Sequence, residues 1–327
     1  MININCGKIL LIAPEFFGYE LEIRAELEHR GASVDFIIDR PIKSSLFIVF
    51  TKYFPKITQF FLNLYYRKKI NNLKKNSYNI VLVINGQTIS PNILIRLRES
   101  LVGARFILYI WDSLKNRPSI INNLKFFENV YTFDPDDAIY FKLRYLPLFF
   151  SKAYEAEPIR ETCHQITFIG TAHTDRFLVL NKLKDNLPDG VTLYKYLYLR
   201  SSILYWGQKI KNISMRDSKL TDFYFTPMVK KEVLYKIFRS FAILDIEHPN
   251  QKGLTIRTLE ALGAKRKLIT TNNDIKNYDF YNPNNIHVID RNDPRINIEF
   301  FMKSYEDIPS KLYKKYSIQG WVNRLLS

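Results

Sequence analysis

The sequence predicts an α/β protein of two similar halves, each built on a mostly parallel, doubly wound sheet. Short apolar runs alternate with longer helical stretches almost from end to end, the pattern of strand–helix–strand units. The 327 residues exceed one ordinary core and suit two domains of about 150 residues each. A composition of 46% hydrophobic and 24% charged residues supplies packed cores and excludes a disordered chain.

The first half opens with Lys8–Ala13 (KILLIA), a buried-strand run followed by a turn around Pro14–Gly18. Tyr19–Arg30 mixes charges with Leu21, Ile23, Ala25 and Leu27 and meets Gly31, as a helix end does. Ser33–Ile38, Asn79–Ile84, Arg105–Ile110 and Asn129–Thr132 continue the strand series. The second half repeats it with Gln165–Ile169, Thr192–Tyr194, Phe241–Asp245, Lys267–Thr271 and Ile286–Ile289. Lys152–Glu161 is polar, charged and contains Pro158, which places the linker there and the domains at 1–151 and 152–327. A last helix, about Tyr305–Leu326, has no strand partner and is expected to pack back on the first domain. In sheets of this kind ligands bind at the carboxyl ends of the strands.

The most informative stretch is Asp245–Asn272, read as strand end, loop, helix and strand. Gly253 permits close backbone approach to a ligand, and the helix read over Leu254–Gly263 aims free N–H groups into the loop, an anion site suited to a diphosphate. Thr255 offers a hydroxyl donor and Arg257 a fork of donors for phosphate oxygens. Glu260, further along, is placed to accept hydrogen bonds from ribose hydroxyls; the competing reading is a Glu on the wet face of an ordinary amphipathic helix. Thr167–Arg176 (TFIGTAHTDR) brings Gly170 and Thr171 to a strand end, with Arg176 starting the next helix and His173 readable as a turn residue or a donor contact. In the first half, Glu15 and Glu20 flank the loop after the first strand and Asp112 follows a later strand. Each is a candidate general base for an attacking hydroxyl, with Asp112 equally readable as a helix cap.

These motifs resemble the nucleotide-sugar site of GT-B fold glycosyltransferases, in which a glycine-containing loop, a helix with a Glu-Ala pair and a following strand hold the donor. Glu260-Ala261-Leu262 and Leu268-Ile269 match in order and spacing, so the resemblance implies that Glu260 binds the donor ribose. The Gly170 turn resembles the opening of the donor domain in CgeB-like and related polysaccharide-assembly transferases, where the glycine turn approaches the donor and the Arg meets its phosphates. The chain departs from the pattern at Lys265 and Lys267, where Gly and Pro are frequent, and at Gln251, near the place of an acidic residue in many retaining members. The resemblance implies two Rossmann-like domains facing across a cleft, with a donor site of Gly170, Thr171, Arg176, Gln251, Gly253, Leu254, Thr255, Arg257 and Glu260. It also implies a nucleotide-sugar substrate, no cofactor, metal-independent transfer, and a saccharide or lipid-linked acceptor in bacterial surface polysaccharide (capsule or lipopolysaccharide) assembly.

Other chemistries fit less well. Phe133–Ala138 contains an Asp-x-Asp, but Pro135 suits the first turn of a helix that Asp134 caps, and the five histidines lack metal-ligand spacing. No Gly-x-Gly-x-x-Gly or Gly-Lys-Ser/Thr motif supports a nicotinamide or P-loop enzyme. A sugar-nucleotide epimerase shares the scaffold and stays as an alternative. The net charge of +16 suggests nucleic acid, anionic membrane or anionic substrate. No nucleic-acid recognition module is present, and a Lys-, Asn- and Ile-rich composition follows equally from AT-rich coding, so nucleic acid is not expected as a partner, and a basic nucleic-acid-binding protein stays as the non-enzyme alternative. Lys43–Lys75 is aromatic and basic, readable either as a peripheral membrane surface or as a core helix with a solvated basic end. The start at Met1–Gly7 has no signal-peptide pattern and Leu46–Tyr66 is broken by Lys52, Pro55 and Lys56. Cys6 and Cys163 match no redox spacing, so a cytoplasmic, reducing setting is expected.

Overall fold

The computed structural model describes residues 7–41, 54–74, 77–155, 161–249 and 251–327. Cys6, residues 43–53 and Lys75 of the basic aromatic stretch, and residues 156–160 of the expected linker lie outside them. Two compact units emerge: Met1–Pro147 with Trp321–Ser327, and Leu148–Gly320. The division falls just ahead of Lys152–Glu155, a short 3-10 helix whose Tyr154 is buried.

The first unit carries six strands: β1 (Lys8–Pro14), β2 (Ser33–Asp39), β3 (Ile80–Ile84), β4 (Arg105–Ile110), β5 (Asn129–Thr132) and β6 (Arg144–Tyr145). They pair in parallel in the order β2-β1-β3-β4-β5-β6. β1, β3 and β4 are covered on both faces, which explains why they read as continuous apolar runs rather than as alternations. Leu10, Ile12, Val81, Val83, Phe106 and Leu108 form one core with Ile93, Leu94 and Leu97 of the Pro91–Ser100 helix. Trp321 is fully buried and meets Tyr109 edge-on at 4.7 Å. β6 is a two-residue edge strand, too short to leave a hydropathy signal.

The second unit carries five strands: β7 (His164–Thr171), β8 (Leu193–Tyr198), β9 (Ser240–Asp245), β10 (Lys267–Thr270) and β11 (Ile286–Val288). All pairings are parallel, in the order β11-β10-β9-β7-β8. Ile166, Phe168, Ala242, Leu244 and Ile269 build its core with Phe177, Leu180 and Leu183 of the Arg176–Asp185 helix. Both units are therefore doubly wound, Rossmann-like α/β layers.

Two expectations need correction. β8 runs on to Tyr198, four residues past the sequence reading. The long last helix is two helices, Ser310–Lys315 and Ile318–Leu326. Phe150 interrupts it: its N–H donates to Tyr316 O at 2.9 Å, and its own carbonyl accepts from Ile318 N at 2.9 Å. Backbone groups that would have continued one helix are thereby taken by a strand-like partner from elsewhere in the unit.

Candidate functional site

Because the five strands of the second unit are parallel, their carboxyl ends share one edge. The chain leaves β7 toward β8 and returns on the other side as β9, so β7 and β9 form the topological switch point, where a crevice opens in such sheets. Arg176 stands across it. Its Nε donates to Ile246 O at 2.7 Å and Nη1 to Thr171 O at 3.0 Å, bridging the two strand ends. Burial lowers its pKa to about 10, which leaves the guanidinium charged at neutral pH. Gly170 has an ordinary φ, and its need for glycine is spatial. A Cβ there would come 2.9 Å from the Phe168 ring and 3.3 Å from Arg176 Nη1.

Beside Arg176 the turn after β7 holds Thr174 at φ 52. The left-handed region is an outlier for a β-branched residue and costs about 1–3 kcal/mol. Thr174 Oγ1 donates to His173 O at 2.7 Å, and Asn212 Nδ2 donates to Thr174 O at 2.5 Å, holding the turn. The turn presents His173, whose ring stacks on that of His248 at 6.1 Å. Burial, with Arg176 and His248 alongside, pushes the His173 pKa down to about 3, so the ring is neutral. Its Nδ1 lies 3.1 Å from Thr174 Oγ1, whose hydrogen goes to His173 O, so Nδ1 carries the proton and Nε2 the lone pair.

A second guanidinium ties the surrounding loops. Arg291 Nη1 donates to Asp175 Oδ1 and Oδ2 at 2.8 and 3.1 Å. Its Nη2 donates to Glu247 O at 2.9 Å, to Thr271 Oγ1 at 3.1 Å and to the Glu247 carboxylate. Loops following β7, β9, β10 and β11 thus meet on one side chain. Burial pushes the Glu247 carboxyl up, against the Thr271 hydroxyl and Arg291, which hold it down.

The helix after β9 spans Ile256–Gly263, and Thr255 is its N-cap. Thr255 Oγ1 accepts from Arg257 N at 3.1 Å and Thr258 N at 3.4 Å, and donates to Asp245 Oδ2 at 2.7 Å. Thr258 Oγ1 donates to the same oxygen at 2.7 Å. This corrects two expectations: the Thr255 hydroxyl hydrogen is engaged by Asp245, and two of the helix N–H groups read as an anion site are already capped. Leu254 is fully buried and contributes no side chain to the crevice. Gln251 Nε2 folds back onto Gly253 O at 2.8 Å, bracing the loop. Arg257 is ion-paired with Glu260, one helical turn on, and reaches Ile169 O at 3.3 Å. Glu260 is 4% exposed, so neither the wet-face reading nor an open carboxylate describes it. Tyr154, its hydroxyl pushed far up by burial, lies beside this pair.

No family model and no curated protein matches the chain. Among solved structures, a glycosyltransferase from Rickettsia africae ESF-5 superposes with a TM-score of 0.51 at 13% identity, covering 98% of this chain and 94% of that one. The two chains share a fold. At this identity the likeness concerns architecture, and residue roles rest on the geometry above.

In the first unit, the sheet switches direction between β1 and β3. Glu15 is exposed just past the end of β1, beside Phe16, whose ring meets Trp111 at 5.5 Å. Glu20 is buried, and its Oε2 accepts the Phe16 N–H at 3.0 Å, fixing the turn. Asp112 Oδ2 is ion-paired with Arg117 Nε at 2.8 Å, and no α-helix starts there for it to cap. Asp134 caps its helix, accepting from Asp136 N at 2.9 Å and Asp137 N at 3.2 Å, as the sequence suggested. Sequence reasoning missed Asp175, Asp245, Glu247, His248 and Arg291. A signal was present for three of them, since Asp245–His248 puts three polar side chains just where a buried strand ends. Nothing local singles out Asp175 or Arg291.

Proposed function

We propose that the chain is a glycosyltransferase that binds a nucleotide-sugar donor in the switch-point crevice of the second unit. The observation that carries the reading is Arg176, a charged, half-buried guanidinium between the ends of β7 and β9, next to the neutral His173 ring, which stacks on His248. Nε and Nη1 are engaged by backbone carbonyls, while Nη2 has no protein partner among the described residues. A guanidinium nitrogen at the crevice suits the oxygens of a diphosphate, with the His173 ring alongside, its Nδ1 held by Thr174 Oγ1 at 3.1 Å. The likeness to a glycosyltransferase fold supports the same reading.

Transfer requires the acceptor hydroxyl to lose its proton as it attacks the anomeric carbon, while the nucleoside diphosphate departs. Arg176 compensates the charge that develops on the leaving diphosphate. Of the three candidate carboxylates in the first unit, Glu15 is the most exposed, and on that ground it is assigned the role of base. Glu20 holds the Phe16 backbone and Asp112 is paired with Arg117. Glu260 binds the donor ribose in this reading only when Arg257 turns aside from it. A saccharide or lipid-linked acceptor in bacterial surface polysaccharide assembly completes the proposal, on the strength of the motif resemblance alone.

A thermal-shift panel of UDP-, GDP-, CMP- and TDP-sugars tests it, on wild type, Arg176→Gln and Glu260→Ala. A donor at 100 times its Kd adds about 2.7 kcal/mol, which raises Tm by about 5–11 °C for a unit of this size. One nucleotide class should stabilise wild type and lose its effect in Arg176→Gln. No shift with any of them at millimolar concentration refutes the donor site. A new sugar epimer formed without any acceptor moves the assignment to an epimerase.

A further inference from the structure

The helix Pro55–Asn71 in the first unit has two apolar faces. Thr58, Leu62, Tyr66 and Ile70, four residues apart, are buried on one side. Tyr66 OH donates to the buried Asp39 at 2.7 Å, which anchors the helix to the end of β2. The opposite side carries Ile57, Phe60, Phe61 and Leu64 at the i, i+3, i+4, i+7 spacing, all between 45 and 60% exposed. One such residue on a surface is ordinary, whereas a helical stripe of four with two phenylalanines needs an occupant.

Charge identifies it. Lys56, Arg67 and Lys68 project from the same exposed arc, and the helix has no acidic residue. Between Asp39 and Glu99 the chain contains eleven Lys or Arg and no further Asp or Glu. A second copy of the chain fits poorly, because a two-fold contact through this face brings two sets of cations together with no acidic residue on either helix to pair them. No helix among the described residues is long and apolar enough to cross a bilayer, so the stripe fits a helix lying along a surface. We infer that this face docks on an anionic lipid bilayer, with Ile57, Phe60, Phe61 and Leu64 below the headgroups and Lys56, Arg67 and Lys68 at the lipid phosphates. The inference does not depend on the donor chemistry and can fail separately from it.

Flotation of the full chain with phosphatidylcholine vesicles, with and without phosphatidylglycerol, tests it in the absence of any nucleotide. Wild type should float with the anionic vesicles and stay behind with the neutral ones. Each cation near the surface strengthens partitioning roughly five-fold, so the Lys56→Glu, Arg67→Glu, Lys68→Glu triple variant should lose about a hundred-fold or more. Phe60→Ser with Phe61→Ser should lose binding at unchanged charge. Equal flotation of both variants and wild type overturns the inference. So does binding abolished instead by Ile203→Ser, Trp206→Ser and Ile210→Ser, on another helix with exposed apolar residues. A lipid-free dimer in sedimentation velocity that Phe60→Ser, Phe61→Ser dissociates assigns the face to a second copy and overturns it as well.

Discussion

Replacing Arg291 tests whether the loops around the crevice are held by one guanidinium. In Arg291→Met the Glu247 carboxylate, buried in the wild-type structure, keeps the Thr271 hydroxyl but loses its cation, and Asp175 loses both of its bonds to Arg291. Breaking a buried pair by removing one partner costs about 3–5 kcal/mol. The Arg291 and Asp175 side chains retain 18% and 23% exposure, which favours the lower end, about 3 kcal/mol. At about 2–4 °C per kcal/mol the second unit should melt about 6–12 °C lower at pH 8. The loss should depend on pH. Burial raises the folded Glu247 pKa above its ordinary 4.5, and removing the cation raises it further. A carboxyl with a raised folded pKa destabilises only when ionised. The penalty is absent below the unfolded value and grows as pH climbs through the folded one. Circular dichroism melts at pH 4.5 and pH 8 should therefore show a smaller deficit at the lower pH. Arg291→Lys should recover part of the loss, since an ammonium keeps the charge without the fork. A deficit identical at both pH values, or below about 1 °C at pH 8, refutes the brace.

Gly263→Ala should destabilise the second unit although alanine is the better helix former. Its Cβ would sit 2.6 Å from Phe150 Cγ, and Phe150 is fully buried. Overpacking of about 1–3 kcal/mol exceeds a propensity gain of about 1 kcal/mol. Adding Phe150→Leu should restore part of it, and a neutral single variant in urea denaturation would contradict the packing. The His173 ring proton should not titrate by NMR between pH 8 and 5, because its folded pKa lies near 3. Stability should fall as pH drops below the ordinary value of 6.5, where only the unfolded ring takes up a proton. His173→Gln should flatten that acid limb.

The strands were legible because burial on both faces writes itself as uninterrupted runs such as Lys8–Ala13 and Asn79–Ile84. β6 escaped because two residues carry no period, and the break before Ile318 escaped because its cause, Phe150, lies far away in sequence. The same distinction holds at the crevice. Gly170, Arg176, Thr255 and Arg257 were found because glycine after a strand and a basic helix start are local signals. What each does was decided by distant partners. Arg176 grips Ile246 O from 70 residues away, and Arg291 reaches Asp175 across 116. Glu260 was located by pattern, but its pairing with Arg257 emerged only with rotamers in place. The exposed stripe on Pro55–Asn71 could not be read either, since the sequence shows apolar residues on both faces of that helix and not which face the core takes.

Asp245 receives two threonine hydroxyls on one oxygen at the very start of the Ile256–Gly263 helix. That carboxylate and the Thr255 cap together answer the positive end of the helix from within the chain. With two of the helix N–H groups already bonded, the Arg176 guanidinium is the positive group held between the ends of β7 and β9. Under the proposed donor site, ligand preference can therefore drift through single replacements at side chains such as Arg176 or His173 while the backbone scaffold stays untouched. The framework would outlast several changes of ligand.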